Sequence, residues 1–167
     1  YCWSQWFMGI TNPPSLKCIA PYDGAVDIYR DDMYHGGIYC DFLPWWYQMV
    51  RVNNLHRPPG KPAGKLLGKD IAREYAEHET YDDFWKERCA AERLDEIEVP
   101  RYSVGVWGKV DLHTRGNING FRRARGPKKL KMVGPVNAVA ANRGFNSAQM
   151  HERVLLQFVD HDLKGHQ

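Results

Sequence analysis

The sequence predicts an α/β fold in which helices cover a parallel sheet. Short apolar segments of strand type alternate with helical segments along the 167 residues. The order is helix, strand, helical insertion, strand, helix, strand, helix, and such alternation is typical of parallel sheets. With 43% hydrophobic and 26% charged residues, the composition is that of a globular protein, and the length allows a sizeable core.

The first element is a helix with a tryptophan-rich apolar face. Residues spaced at i, i+3, i+4 and i+7 form this face: Trp3, Trp6, Phe7 and Ile10. Asn12-Pro13-Pro14 ends the helix, and residues 16–21 form a short strand. A buried helix needs something to pack against, so we expect further chain upstream of Tyr1.

Residues 23–96 predict a helical insertion after the first strand. Pro, Gly and Lys residues indicate an exposed loop at 53–69, and the composition of 71–94 is typical of two helices. We therefore predict that residues 1–22 and 97–167 form the core and that 23–96 form the insertion.

The remaining chain continues the alternation of strands and helices. Residues 102–107 predict a second strand and 129–133 a third. Between them, 114–125 predicts a helix, and 147–164 predicts the last one. The sheet would then have about three parallel strands, and the exposed edges of so thin a sheet indicate that further strands belong to it.

Charge and cysteine usage argue against several classes of function. The formal charge of +3 is too small to favour nucleic acid or a membrane surface as partner. The four cysteines lack the paired spacing of metal or redox sites. We therefore expect neither a cofactor nor a bound metal.

Five sequence blocks occur in an order that resembles a known family. They are SQWFMGITNPPSLKCIAPYDGAVDIYRDDMYHGGIY at 4–39, YDDFW at 81–85, IEVP at 97–100, LHTRGN at 112–117 and FVDHDLKG at 158–165. Together they resemble the Xaa-Pro dipeptidyl-peptidase-like serine hydrolases, which include enzymes of the cocaine-esterase and glutaryl-acylase type. The resemblance implies the C-terminal part of an α/β-hydrolase fold, with 23–96 as its helical cap.

The same resemblance implies acyl transfer to water through a serine ester, on a small peptide, amide or ester substrate. In this family a Gly-x-Ser-Tyr turn precedes the first helix, so the nucleophile is expected one or two residues before Tyr1. Backbone N–H groups at the start of that helix would hold the oxyanion. This chain alone is therefore expected to be an inactive fragment.

Asp111 is the predicted catalytic acid, because a carboxylate after the second strand would orient the imidazole. Relatives place the acid slightly earlier, near Lys109 here, so a short loop would have to shift Asp111 into place. Capping of the following helix is the alternative role for Asp111. Asp23 and Asp27, after the first strand, are the fallback acids.

A histidine is missing where the resemblance implies the catalytic base. Relatives carry it in a Gly-Pro-x-x-His pattern after the third strand, but residues 134–138 are GPVNA. His151 lies within the last helix, so we expect it at the surface rather than as the base. For His113 we expect a structural role. Two rival hypotheses follow: a non-catalytic module that keeps the pocket for binding or interaction, and a structural remnant without activity.

Overall fold

The computed structural model describes residues 3–54, 71–134 and 138–165. Its α-helices there are α1 (Trp3–Thr11), α2 (Phe42–Asn54), α3 (Ile71–Glu77), α4 (Asp83–Arg88), α5 (Thr114–Arg123), α6 (Ala138–Phe145), α7 (Ala148–Met150) and α8 (Gln157–Lys164). Short 3-10 or π-helices cover Tyr29–Met33, Ala90–Glu96, Trp107–Lys109 and His151–Leu156. The strands are β1 (Tyr34–His35), β2 (Ile38–Tyr39), β3 (Arg101–Val106) and β4 (Lys128–Val133).

The central sheet is parallel, as the alternation of elements predicts. β3 and β4 pair along their full lengths, starting with Arg101 opposite Lys128. On the other side of β3, residues 19–22 run parallel to it and join it through isolated bridges at Ile19 and Tyr22. The α/β prediction is therefore confirmed. The first predicted strand, however, consists of two bridges rather than a continuous ladder.

Most predicted helices lie within two residues of their expected bounds. α1 extends one residue beyond the predicted apolar face, and α5 ends at Arg123 rather than Arg125. Helix α2 and the β1–β2 hairpin were not predicted, because glycines and aromatic residues are interspersed in that segment. The hairpin turns at Gly36 and Gly37, which both adopt a positive φ. The predicted loop at 53–69 lies almost wholly outside the described residues.

Two apolar clusters form the interior. The larger one joins α1 to the 23–96 segment around the fully buried indoles of Trp6 and Trp85. The smaller one packs β3 against Met150 and Val154 of the last helical run. Because the larger cluster combines residues from both parts of the chain, the division into core and insertion stays a prediction.

Helix α5 lies very close to its neighbours at two glycines. A Cβ on Gly116 would lie 2.5 Å from the Cα of Ala25, and a Cβ on Gly120 would overlap the Trp6 indole. Real Cβ atoms do not approach other heavy atoms this closely, so both positions require glycine. These contacts fix α5 against α1 and against the loop that follows residues 19–22.

Gly120→Ala is expected to lower the free energy of unfolding by about 1 to 3 kcal/mol, because the added methyl group would overlap the fully buried Trp6 indole. Urea denaturation measures this change. Gly144→Ala in α6 is the matched control, since beyond its chain neighbours and the backbone of its own helix no atom lies within 4 Å of its Cβ position. The control should be neutral or slightly stabilising. Equal effects from the two variants would contradict the close packing of α5 on Trp6.

Candidate functional site

A cavity of about 810 Å³ lies beside the first turn of α1 and the carboxyl ends of residues 19–22 and β3. Aromatic side chains provide much of its lining: Trp3, Tyr22, Phe42, Trp46, Tyr75 and Phe145. The polar residues in its lining are Asp23, Asp32, Lys109, His113, Asn142 and Asn146. Mainly apolar walls with a few polar groups are typical of sites for small organic ligands.

One wall of the cavity contains a buried ion pair. Nζ of Lys109 donates hydrogen bonds to Oδ2 of Asp23 and, at 3.1 Å, to Oδ1 of Asn142. Asp23 follows residues 19–22 and Lys109 follows β3, so the parallel arrangement places both at the same edge of the sheet. Burial raises the pKa of the Asp23 carboxyl, while the Lys109 ammonium opposes this rise.

Asn117 of α5 holds the backbone on either side of Asp23. Its Oδ1 accepts a hydrogen bond of 2.9 Å from the backbone N–H of Gly24. Its Nδ2 donates to the carbonyl of Pro21 at 3.2 Å and to Oγ of Ser103 at 2.8 Å. Asn117 is fully buried. Its hydrogen bonds connect the cavity wall directly to α5 and β3.

The π-helical turn Tyr29–Met33 contributes two buried carboxylates. Oδ2 of Asp31 accepts hydrogen bonds from the backbone N–H groups of Val26 and Asp27, at 3.1 and 3.0 Å. Its Oδ1 accepts from Nε of Arg115 at 2.8 Å. The Asp31 carboxylate is therefore fully partnered and serves to hold the turn in place.

Asp32, the second carboxylate of this turn, lacks such partners. It is 9% exposed and lines the cavity. Within the described part of the chain its carboxyl group makes no hydrogen bond or ion pair. Burial, followed by the negative charges of Asp31 and Asp27, raises its pKa to about 8. In the folded protein without a ligand, the Asp32 carboxyl is therefore largely protonated at neutral pH.

His113 provides the imidazole that lines the cavity. Burial, with the nearby Lys109 ammonium, lowers its pKa to about 4. Its Nδ1 is buried and has no hydrogen-bond partner among the described residues. The ring is therefore neutral at physiological pH. A structural role for His113 stays a prediction.

The other predicted site residues lie in different surroundings. Asp111 is exposed in the turn before α5 and is not among the residues that line the cavity. The N-cap residue of α5 is His113, so the structure does not place Asp111 at the cap. Asp27 is buried and pairs with Arg30 at 2.5 Å. His151 is exposed, with its ring 5.6 Å from that of Phe145.

Sequence reasoning missed Asp32 and the ion pair of Lys109 with Asp23. The signal for Asp32 was present, because the Asp31-Asp32 doublet interrupts a segment of apolar and aromatic residues. No comparable signal existed for the ion pair, whose partners are 86 residues apart. The role of Asp111 as the acid stays a prediction.

Within the described ranges, no group of three or more His, Cys, Asp or Glu side chains is placed to hold a metal ion. Among the helices described, none combines the length and apolar character that crossing a membrane requires.

Comparison with known proteins finds both sequence and structural relatives. The family model described as X-Pro dipeptidyl-peptidase (S15 family) matches residues 2–137. Two crystal structures of a CocE/NonD family hydrolase from Staphylococcus aureus are similar, each with a TM-score of 0.80 and 29% sequence identity. The similarity covers 98% of this chain and 27% of theirs, so the chain spans about a quarter of their length. No curated protein matches the chain in sequence.

Proposed function

Since the chain belongs to the X-Pro dipeptidyl-peptidase (S15) family, we propose that it forms the substrate-binding part of a hydrolase that cleaves a peptide, amide or ester bond. The observation that carries this proposal is the aromatic-lined cavity beside the first turn of α1. Its volume is adequate for a small organic substrate, and its polar groups lie at the sheet edge where α/β folds bind ligands.

The proposed reaction also requires residues outside this chain. In the intact protein a serine just before α1 would attack the substrate carbonyl. N–H groups in the first turn of α1 would stabilise the oxyanion, since the amino end of a helix carries partial positive charge. Trp3, the first residue of α1, lines the cavity and therefore supports this placement. Asp111 would orient the imidazole, and the chain alone would be inactive.

A second candidate function is ligand binding without hydrolysis, and Lys109 favours it. The resemblance to the family places the catalytic acid near this position. An ammonium has no acceptor with which to orient an imidazole, and Lys109 is bonded to Asp23. The cavity imidazole, His113, has a pKa of about 4, which makes it a weak general base at neutral pH.

Fluorophosphonate labelling of the full-length protein distinguishes the two functions. A hydrolase should be labelled at a serine upstream of α1, because the reagent reacts with activated serine hydroxyls. Mass spectrometry of the labelled peptide identifies the residue, and replacing that serine with alanine should abolish the signal. A folded protein that takes up no label would contradict the hydrolase and support the binding function. If labelling occurs, an Asp111→Asn variant that labels at the parent rate excludes Asp111 as the acid.

A further inference from the structure

We propose that Lys109 forms a Schiff base with ligands that carry an aldehyde group, with Asp23 accepting and returning the protons of the reaction. The inference rests on the proposed function in one respect, because it takes the aromatic-lined cavity to be the ligand site. It goes beyond that function, since it adds a covalent reaction at a residue that the proposed serine chemistry does not use. The cavity would then capture aldehydes reversibly.

The first argument is the position of the Lys109 amine. Lys109 is 8% exposed and lines the cavity. Its Nζ donates hydrogen bonds to the Asp23 carboxylate and to Oδ1 of Asn142, which uses two of the three N–H donors that an ammonium has. No further partner lies among the described residues, so one N–H is left for a ligand in the cavity.

The second argument is that a lysine, rather than an arginine, pairs with Asp23. The two other ion pairs of buried aspartates in the described ranges use guanidinium groups, Arg30 with Asp27 and Arg115 with Asp31. A guanidinium stays protonated in proteins, whereas a lysine ammonium can give up a proton and become a nucleophilic amine. The pair whose two members line the cavity is thus also the pair whose cation can react.

The third argument is that Asp23 is suited to carry protons. Burial raises the pKa of its carboxyl, which makes it a better proton acceptor than an exposed aspartate, although the Lys109 ammonium opposes this rise. Its Oδ2 accepts the hydrogen bond from Nζ of Lys109, and its Oδ1 is buried without a hydrogen-bond partner among the described residues. A proton can therefore pass from Nζ to Asp23 along the existing hydrogen bond, and no other bond has to break.

The reaction needs proton transfers through Asp23 and no further reagent. The Lys109 ammonium first passes one proton to Asp23. The resulting amine attacks the aldehyde carbon, so that a C–N bond forms and the carbonyl oxygen takes the proton from Asp23. Asp23 then removes a second proton from the nitrogen and delivers it to the hydroxyl, which leaves as water while the nitrogen lone pair forms the C=N bond. The products are one water molecule and a protonated Schiff base paired with the Asp23 carboxylate, and hydrolysis reverses the same steps.

The surroundings of the ion pair favour such a product. Tyr22 and Phe145 line the cavity and stack on each other with ring centroids 3.8 Å apart. They adjoin the reactive groups in the chain, since Tyr22 precedes Asp23 and Phe145 lies in the same helix as Asn142. Apolar rings at this place limit the access of water, which would hydrolyse the Schiff base. They also offer a surface for the hydrocarbon part of an aldehyde.

Reductive trapping in the full-length protein tests the inference. The protein is incubated at pH 7 with 3-phenylpropanal and cyanoborohydride, which reduces a Schiff base to a stable amine, and peptide mass spectrometry gives the labelling rate of each lysine. We expect Lys109 to be labelled at least about 10-fold faster than Lys86, because the cavity holds the carbonyl beside its amine. Lys86 is the matched control, since it also pairs with an aspartate but is 51% exposed.

Two controls distinguish reaction in the cavity from reaction at the surface. An excess of 3-phenylpropanol, which is similar in shape but has no carbonyl group, should slow the labelling of Lys109 and leave that of Lys86 unchanged. Lys109→Arg keeps a cation beside Asp23 and should remove the rapidly labelled peptide, whereas Lys86→Arg should retain it. Labelling of Lys109 in the parent that is no faster than that of Lys86, or that the alcohol does not slow, would overturn the inference.

The trapping experiment can fail independently of the test of the proposed function. Fluorophosphonate reacts with a serine upstream of α1, whereas the aldehyde reacts with Lys109. Fluorophosphonate labelling without trapping at Lys109 would leave the hydrolase in place and overturn the Schiff base. Rapid trapping at Lys109 in a protein that takes up no fluorophosphonate would support the Schiff base and contradict the hydrolase.

Discussion

Lys109→Met is expected to lower the free energy of unfolding by about 3 to 5 kcal/mol, the usual result of removing one member of a buried ion pair. Methionine preserves the length and most of the volume of the side chain. It leaves Asp23 as a buried carboxylate whose other oxygen already has no hydrogen-bond partner among the described residues. Urea denaturation at pH 8 is the appropriate measurement, because protonation of Asp23 at lower pH would reduce the effect.

Two further variants distinguish the effect of losing the Lys109–Asp23 ion pair on stability from the effect of losing any lysine. Lys86→Met removes an exposed lysine that pairs with Asp83, and solvent screening leaves such a surface pair with little effect on stability. Asp23→Asn in the Lys109→Met background should restore at least about half of the lost stability, since it removes the unpaired charge. Asparagine also tolerates the φ of +53° at this position. If Lys109→Met and Lys86→Met have the same effect, the ion pair does not stabilise the fold.

Asp32→Asn is expected to make the free protein less sensitive to pH between about 4 and 8. The carboxyl has a pKa near 3.8 in the unfolded chain and about 8 in the folded one. Within this window the folded state binds more protons than the unfolded state, so stability falls as pH rises, by at most about 1.4 kcal/mol per pH unit. The asparagine variant lacks this contribution and should be the more stable protein at pH 9.

Chemical denaturation at one-unit pH intervals checks this expectation. The difference in unfolding free energy between Asp32→Asn and the parent should grow steadily from pH 4 to pH 8 and then level off. Asp83→Asn removes an exposed carboxylate and should leave the slope nearly unchanged. Parallel curves for the parent and Asp32→Asn would show that the carboxyl ionises as readily in the folded protein as in the unfolded chain.

Local pattern was sufficient to predict the elements around the cavity. The 3.6-residue spacing of apolar residues predicted α1, and the short apolar run 102–107 predicted β3 to within one residue. Helix α2 was missed because its apolar residues follow a glycine-rich turn and include Pro44. Proline is tolerated in the first turn of a helix, so its presence there does not interrupt α2.

The chemistry of the cavity was less predictable, because it depends on contacts between distant parts of the chain. The order of the family's sequence blocks predicted Asp111 as the catalytic acid, because this carboxylate lies near the position in sequence where relatives carry the acid. Burial and pairing instead distinguish Asp23, Asp32 and Lys109, and neither property can be seen in local sequence. An aspartate in a turn has the same sequence signature whether it is solvated, paired or directed at a ligand.

The hydrogen bonds of Asn117 have a consequence for the thermodynamics of ligand binding. They connect Pro21 and Gly24 to α5 and β3, so the backbone of the wall that carries Asp23 is held in place without a ligand. Conformational entropy lost when a loop becomes ordered weakens binding. On this side of the cavity little such entropy remains to be lost, and the wall is pre-organised by the same bonds that stabilise the sheet.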